Sequence, residues 1–161
     1  MWMCAENWNE LTRGKRVLRG AKWGSAGKEV SIASPVNRTP VSMPLYIHMR
    51  IDDYFESRFG LRFRSRSLFA TGSPMIAKQY GEIRSLIATR DFCFCWSPHA
   101  TDLYEEVALN RGSNESIEDM LARLSYRCDD LAGAIESGNE IMLVGAAFVA
   151  HRWSADDAQR T

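Results

Sequence analysis

The sequence has no excess of either charge, because twenty Lys and Arg residues stand against twenty Asp and Glu residues in 161 positions. A general polyanion binder is therefore excluded, and any phosphate recognition has to come from a few local residues. Long apolar runs are also missing: the longest, at 141–150, is about half of the ~20 residues that a membrane span needs. No basic segment followed by an apolar stretch begins the chain, so we expect a soluble, cytoplasmic protein.

The common nucleotide and hydrolase motifs are absent as well. The chain contains no G-x-G-x-x-G after a strand, no G-x-x-x-x-G-K-[ST] and no G-x-S-x-G, which excludes the usual phosphate cradles and the nucleophile elbow. Cysteine is scarce, with four residues, and Cys93-x-Cys95 together with three scattered histidines lacks the spacing of metal ligands. We therefore predict reduced, structural thiols and no metal site.

Composition and length are those of an ordinary globular protein, with 45% hydrophobic and 25% charged residues. We predict one domain over 1–153 and a flexible C-terminal tail over 154–161. Turn residues and apolar periodicity indicate helices over 44–60, 74–80, 102–109, 116–124 and 130–135. They indicate strands around 17–18, 67–70, 83–88, 92–96 and 141–149, with a long loop over 24–43.

These elements predict an α+β fold with a mostly antiparallel sheet and helices grouped around it. Strands 83–88 and 92–96 follow each other closely, so we expect them to pair in antiparallel fashion. Within 92–96, alternation places Cys93 and Cys95 on one face and the aromatic residues on the other. The apolar segment 141–149 is expected to be a single strand in the centre of the sheet.

Three arginines, Arg62, Arg64 and Arg66, alternate with other residues after the first long helix. On an extended segment they would present three guanidinium groups on one face. Such a face is typical of a charged, solvated edge strand. It would equally suit a local phosphate or nucleic-acid contact, since the arginine fork matches phosphate oxygens.

Two short segments near opposite ends of the chain each place one charged residue at a strand end. In the segment 17–20, Arg19 ends a short strand just before Gly20. In the segment 137–143, Glu140 stands at the beginning of a buried strand, where a carboxylate is disfavoured unless it is exposed, paired or functional. Arg19 could also be an ordinary exposed arginine, with Arg16 as the alternative.

Between them lies the segment 67–81, which reads as a strand, a turn with hydroxyl side chains and a helix. Phe69 lies on the strand, Thr71 and Ser73 lie in the turn, and Tyr80 lies on the helix. Ser73 is a helix N-cap and Pro74 takes the first helical position. From the residues alone, Thr71 and Ser73 could be no more than turn and cap, and Tyr80 could be core packing.

In this order the three segments resemble the ADP-ribosyltransferase superfamily. Its members have arginine and glycine on an early strand, a strand-turn-helix with serine or threonine at the bend, and a late glutamate that begins a strand. The middle segment is also similar to the strand and helix of the poly-ADP-ribose polymerase branch, whereas the early arginine favours the toxin-like branch. The resemblance covers about 16–148 and implies a split antiparallel sheet. The chain is also similar in style to small phage-encoded proteins.

The resemblance implies a mono-ADP-ribosyltransferase that uses NAD as its substrate and modifies a host protein or nucleic acid, as a phage effector in the host cytoplasm would. Glu140 would stabilise the positive charge on the ribose as nicotinamide leaves. Arg19, beside Gly20, would hold a phosphate or ribose of the dinucleotide. The remaining implied site residues are Thr71 and Ser73, which would brace the bend and orient the glutamate, and Phe69 and Tyr80, which would face the nicotinamide.

The sequence also departs from the family pattern. Relatives that modify arginine carry Glu or Gln two residues before the catalytic glutamate, and here that position is Gly138. A nucleobase, another side chain or water is therefore as suitable an acceptor as arginine. The same departure keeps open an alternative function, a catalytically inactive protein of this fold that binds and inhibits a host or defence factor.

Overall fold

The computed structural model describes residues 2–156, so positions 157–161 of the predicted flexible tail lie outside the described residues. The chain forms an α+β fold with antiparallel sheets and surrounding helices, which confirms the predicted class. The strands are β1 (Val17–Ala21), β2 (Glu29–Ile32), β3 (Leu68–Ala70), β4 (Glu82–Ala88), β5 (Phe92–Trp96), β6 (Ile141–Gly145) and β7 (Phe148–Arg152). The helices are α1 (Trp8–Thr12), α2 (Leu45–Phe59), α3 (Phe63–Arg66), α4 (Pro74–Lys78), α5 (Leu103–Glu105), α6 (Ile117–Leu124) and α7 (Leu131–Ser137).

The strands form two antiparallel sheets. The larger has the order β1-β4-β7-β2 and the smaller the order β3-β6-β5. They meet at a bridge between Leu18 of β1 and Thr71, which directly follows β3. The Leu18 amide donates to the Thr71 carbonyl at 2.8 Å, and the Thr71 amide donates back at 2.9 Å. The two sheets therefore touch, edge against edge, between the strand that carries Arg19 and the strand that carries Phe69.

The smaller sheet is buried on both faces. Its aromatic face, with Phe92 and Phe94, packs in one buried cluster with Leu86 and Phe148 of the larger sheet. The opposite face packs against α2 and α6 and includes the two cysteines of β5, Cys93 and Cys95. The predicted alternation along 92–96 is confirmed.

Several helix ends carry the local signals on which the prediction relied. Helix α2 ends at Gly60, whose φ of 84° is in the left-handed region, where glycine is favoured because it has no Cβ. Helix α4 is capped by the Ser73 side chain, which accepts from the Ile76 amide, and Pro74 is its first residue. Asp102, Ser116 and Asp130 cap α5, α6 and α7 in the same way, and α5 continues as a π-helical turn, Glu106–Asn110.

Two predictions about the sheet are wrong. Strands β4 and β5 do not pair, because β4 already has β1 and β7 on its two edges, and β5 pairs with β6. The segment 141–149 is not one strand: it turns after Gly145, so that β6 belongs to the smaller sheet and β7 to the larger. An apolar run buried throughout does not reveal where the chain changes sheets.

Three further predictions are corrected at their boundaries. The first strand does not stop at Gly20 but runs on to Ala21, since β1 pairs with β4 along its whole length. The supposed loop 24–43 contains β2, which pairs with β7 at the sheet edge. Helix α4 ends at Lys78, so Tyr80 lies in the turn that follows and not on the helix.

Candidate functional site

A cavity of about 610 Å³ opens where the two sheets meet. This volume is within the roughly 300–1,000 Å³ typical of small-molecule sites. Its lining includes four of the predicted site residues, which are far apart in the sequence: Arg19 of β1, Phe69 of β3, Tyr80 and Glu140. The junction of the sheets therefore brings the three segments of the sequence pattern to one place.

Glu140 immediately precedes β6 and points its carboxylate into a largely enclosed position, with its side chain 14% exposed. Its amide donates to the Thr101 carbonyl at 2.9 Å. Its Oε1 accepts from Arg64 Nη1 at 3.2 Å and from the Leu103 amide at 3.4 Å. Burial raises the pKa of Glu140 and the nearby Asp102 raises it further, whereas Arg64 and the Leu103 amide lower it.

Thr71 links the turn after β3 to the segment that carries the glutamate. Its Oγ1 donates to the Gly138 carbonyl at 2.8 Å and accepts from the Ser73 amide at 3.1 Å. One hydroxyl thus fixes both the bend before α4 and the backbone two residues before Glu140. Ser73 contributes its cap to α4 and is not among the residues that line the cavity.

Arg19 and Gly20 of β1 both line the cavity, but they have different structural roles. Arg19 Nη1 donates to the Phe69 carbonyl at 2.8 Å, and burial lowers the pKa of this guanidinium. Gly20 lets α4 approach the strand, because a Cβ at this position would overlap the carbonyl oxygen of Ala77 and lie 2.7 Å from its carbonyl carbon. Close packing is thus a sufficient reason for glycine at this position.

Phe69 lies at the centre of a group of arginines. The guanidinium carbon of Arg38 is 4.1 Å from the centroid of its ring, and that of Arg64 is 4.5 Å away. Both distances are within the range of a cation–π contact. The Phe69 ring was expected to face the ligand directly, but two arginine side chains also contact it. Arg38 was not among the site residues predicted from the sequence.

Another part of the cavity wall is acidic and aromatic. Asp102, Glu105 and Tyr104 line it together with Tyr80. The Tyr80 hydroxyl donates to Asp102 Oδ2 at 3.3 Å, and burial and this carboxylate both raise the pKa of Tyr80. Tyr80 remains 60% exposed, so it is a residue of the cavity mouth and not of the core.

The arrangement predicted for Arg62, Arg64 and Arg66 is wrong. The segment is not extended but forms the helical turn α3, in which the Arg66 amide donates to the Arg62 carbonyl. Helix formation buries Phe63, which has edge-on contacts with Phe55 and Phe59 of α2. The three guanidinium groups consequently do not share one face.

The arginines of this turn have separate environments. Arg62 bonds Asp53 at 2.8 Å on the surface of α2, whereas Arg64 reaches Glu140 in the cavity. A buried pair also connects α2 to this turn: His48 Nε2 lies 3.6 Å from Asp52 Oδ2, and Asp52 Oδ1 accepts from the Ser65 amide at 3.1 Å. The pair positions the turn that carries Arg64. The histidines were considered only as metal ligands, and the i, i+4 spacing of His48 and Asp52 was the signal that could have revealed the pair.

No family model, no curated protein and no solved structure matches the chain. Within residues 2–156, no helix is long and apolar enough to cross a membrane. The same stretch contains no group of three His, Cys, Asp or Glu side chains arranged to hold a metal ion. The function has to be argued from the cavity itself.

Proposed function

We propose that the protein is an NAD-dependent mono-ADP-ribosyltransferase of ADP-ribosyltransferase-like fold. The observation that carries the proposal is that Arg19 and Glu140 line one cavity at the junction of two antiparallel sheets. Thr71 lines the same cavity, and its hydroxyl donates to the carbonyl of Gly138, two residues before the glutamate. The order of these residues along the chain and their convergence in space support the same chemistry.

In this reaction the bond between the nicotinamide ring nitrogen and the ribose C1′ breaks, and its electron pair leaves with the nicotinamide. Positive charge then develops on the ribose, and the Glu140 carboxylate beside it stabilises that charge. An acceptor nucleophile forms the new bond to C1′ and loses its proton. Arg19, on the basic side of the cavity, would hold the phosphates by charge-assisted hydrogen bonds.

Arg64 has a supporting role in this proposal. Glu140 is nearly enclosed, so without a cation its carboxylate would be costly to keep ionised. The charge of Arg64, together with its hydrogen bond, lowers the pKa of Glu140 against the effect of burial. The ion pair thus favours the charged carboxylate that the reaction needs.

The test is release of nicotinamide from labelled NAD by the purified protein. Glu140→Gln keeps the size of the side chain and removes its charge, and it should slow release by about 10²-fold or more if the carboxylate stabilises the transition state. The matched control is Glu136→Gln, which removes a carboxylate that pairs with Lys15 outside the cavity and should leave the rate within about twofold of the wild type. Equal rates for the wild type and Glu140→Gln would refute the proposal.

The acceptor is identified by incubating a host cell extract with labelled NAD and the protein. A host protein or nucleic acid that gains one ADP-ribose unit would be the substrate, whereas free ADP-ribose alone would mean that water is the acceptor. An unmodified partner that binds the wild type and Glu140→Gln equally, with no nicotinamide released, would favour the inactive binding protein instead.

A further inference from the structure

Three arginines approach the cavity from three separate parts of the chain. Arg19 comes from β1, Arg38 from the loop between β2 and α2, and Arg64 from α3. Arg38 and Arg64 each contact the ring of Phe69, while Arg19 donates to the main-chain carbonyl of the same residue. One side of the cavity is therefore a compact cluster of guanidinium groups around Phe69.

The charges in this cluster are not balanced. Glu140 accepts from Arg64, but within residues 2–156 no carboxylate forms an ion pair with Arg19 or Arg38. Their hydrogen-bond partners are main-chain carbonyls: Phe69 for Arg19 at 2.8 Å and Ser67 for Arg38 at 2.5 Å. A guanidinium has five N–H donors, so each of these arginines keeps donors for a ligand.

Arg38 is held in place although its loop has no regular structure. Its amide donates to the Ser65 carbonyl at 2.7 Å, its Nη2 donates to Ser67, and its guanidinium lies over Phe69. Burial, together with the charges of Arg19 and Arg64, lowers the pKa of Arg38 to about 10, although the charge of Glu140 partly opposes this shift. The guanidinium is still charged at neutral pH, and its burial beside two other cations costs free energy that a bound anion would offset.

We propose that Arg38 and Arg19 form a two-arginine clamp for the diphosphate of a dinucleotide. Two guanidinium groups without carboxylate partners match the two negative charges of a diphosphate, and planar forks suit phosphate oxygens. Arg64 stays with Glu140 and contacts the Phe69 ring. The identity of the ligand rests on the proposed function, whereas the clamp itself rests on the arginine cluster.

The test is calorimetric binding of ADP-ribose and of inorganic pyrophosphate to the full chain. Arg38→Gln should weaken the binding of both by at least about tenfold, and Arg38→Lys, which keeps the charge but not the fork, should weaken it less. The matched control is Arg58→Gln, because Arg58 also lies over a phenylalanine ring, that of Phe59, but outside the cavity. Thermal unfolding verifies that each variant folds.

Binding and nicotinamide release, measured separately, distinguish failure of the clamp from failure of the transferase activity. Loss of binding in Arg38→Gln without any nicotinamide release by the wild type would keep the clamp and refute the transferase. Equal affinity of the wild type and Arg38→Gln for ADP-ribose, or no binding of it by the wild type, would overturn the clamp. Tighter, Arg38-dependent binding of a single-stranded oligonucleotide would also overturn it, in favour of a nucleic-acid backbone.

Discussion

The sharpest structural prediction concerns Gly20, which lines the cavity but is explained by packing. In Gly20→Ala the new Cβ would overlap the Ala77 carbonyl oxygen and lie 2.7 Å from its carbonyl carbon, although Cβ atoms essentially never approach other atoms within 3.0 Å. The obstacle is backbone, so no side-chain rotation relieves it. Helix α4 would have to move away from β1.

The expected loss of stability follows from this overlap. Overpacking usually costs about 1–3 kcal/mol, and a clash with backbone belongs at the upper end of that range. Gly20 is only partly buried, but the atoms that its Cβ would meet are fixed. The shift would also move Tyr80, just beyond the end of α4, so ligand binding should weaken together with stability. The free energy of unfolding is measured by urea titration, with ligand affinity measured on the same preparations.

Gly27→Ala is the matched control, because a Cβ at Gly27 would meet nothing within 4 Å. Its free energy of unfolding should stay within about 0.5 kcal/mol of the wild type. If Gly20→Ala unfolded at the wild-type urea concentration and lost only ligand affinity, the packing explanation would be refuted. Gly20 would then be needed for contact with the ligand itself.

Three further predictions concern Glu140 and the residues that support it. Because burial raises the pKa of Glu140, nicotinamide release should fall on acidification with a midpoint above the ordinary glutamate value. Arg64→Gln removes the cation that lowers the pKa of Glu140, so the midpoint should move to higher pH, less so in Arg64→Lys; an unmoved midpoint would contradict this assignment. Thr71→Val should cost about 1–2 kcal/mol, because the Gly138 carbonyl and the Ser73 amide lose their partner. Thr71→Ser should lose less stability than Thr71→Val, as measured by thermal unfolding. Equal stability of Thr71→Val and the wild type would contradict the stabilising role of these two hydrogen bonds.

The helix ends were predictable because their signals are local. Ser73 with Pro74 and the glycine at position 60 act on neighbouring backbone groups, whatever the rest of the chain does. The pairing of strands was not predictable in this way. Whether 92–96 pairs with 83–88 depends on which edges are still free, and β1 and β7 occupy both edges of β4.

The candidate site was only partly accessible from the sequence. Arg19, Thr71 and Glu140 were singled out because their order along the chain resembles a family pattern. Thr71 and Glu140 do lie at strand ends, whereas Arg19 lies within β1. Arg38 lies in an irregular loop, and only the folded chain places it over Phe69. The alternation from 61 to 66 resembled a strand, but burial of its aromatic residue against α2 favours a helical turn.

The junction of Leu18 with Thr71 has a mechanical consequence. Each sheet has its own hydrogen-bonded ladder, while two main-chain bonds tie one sheet to the other at this point. Arg19 belongs to the larger sheet and Glu140 adjoins the smaller one, so a ligand that contacts both residues adds a second connection between the sheets. Its binding should slow hydrogen–deuterium exchange of the amides at 18 and 71 more than that of amides in the middle of β4.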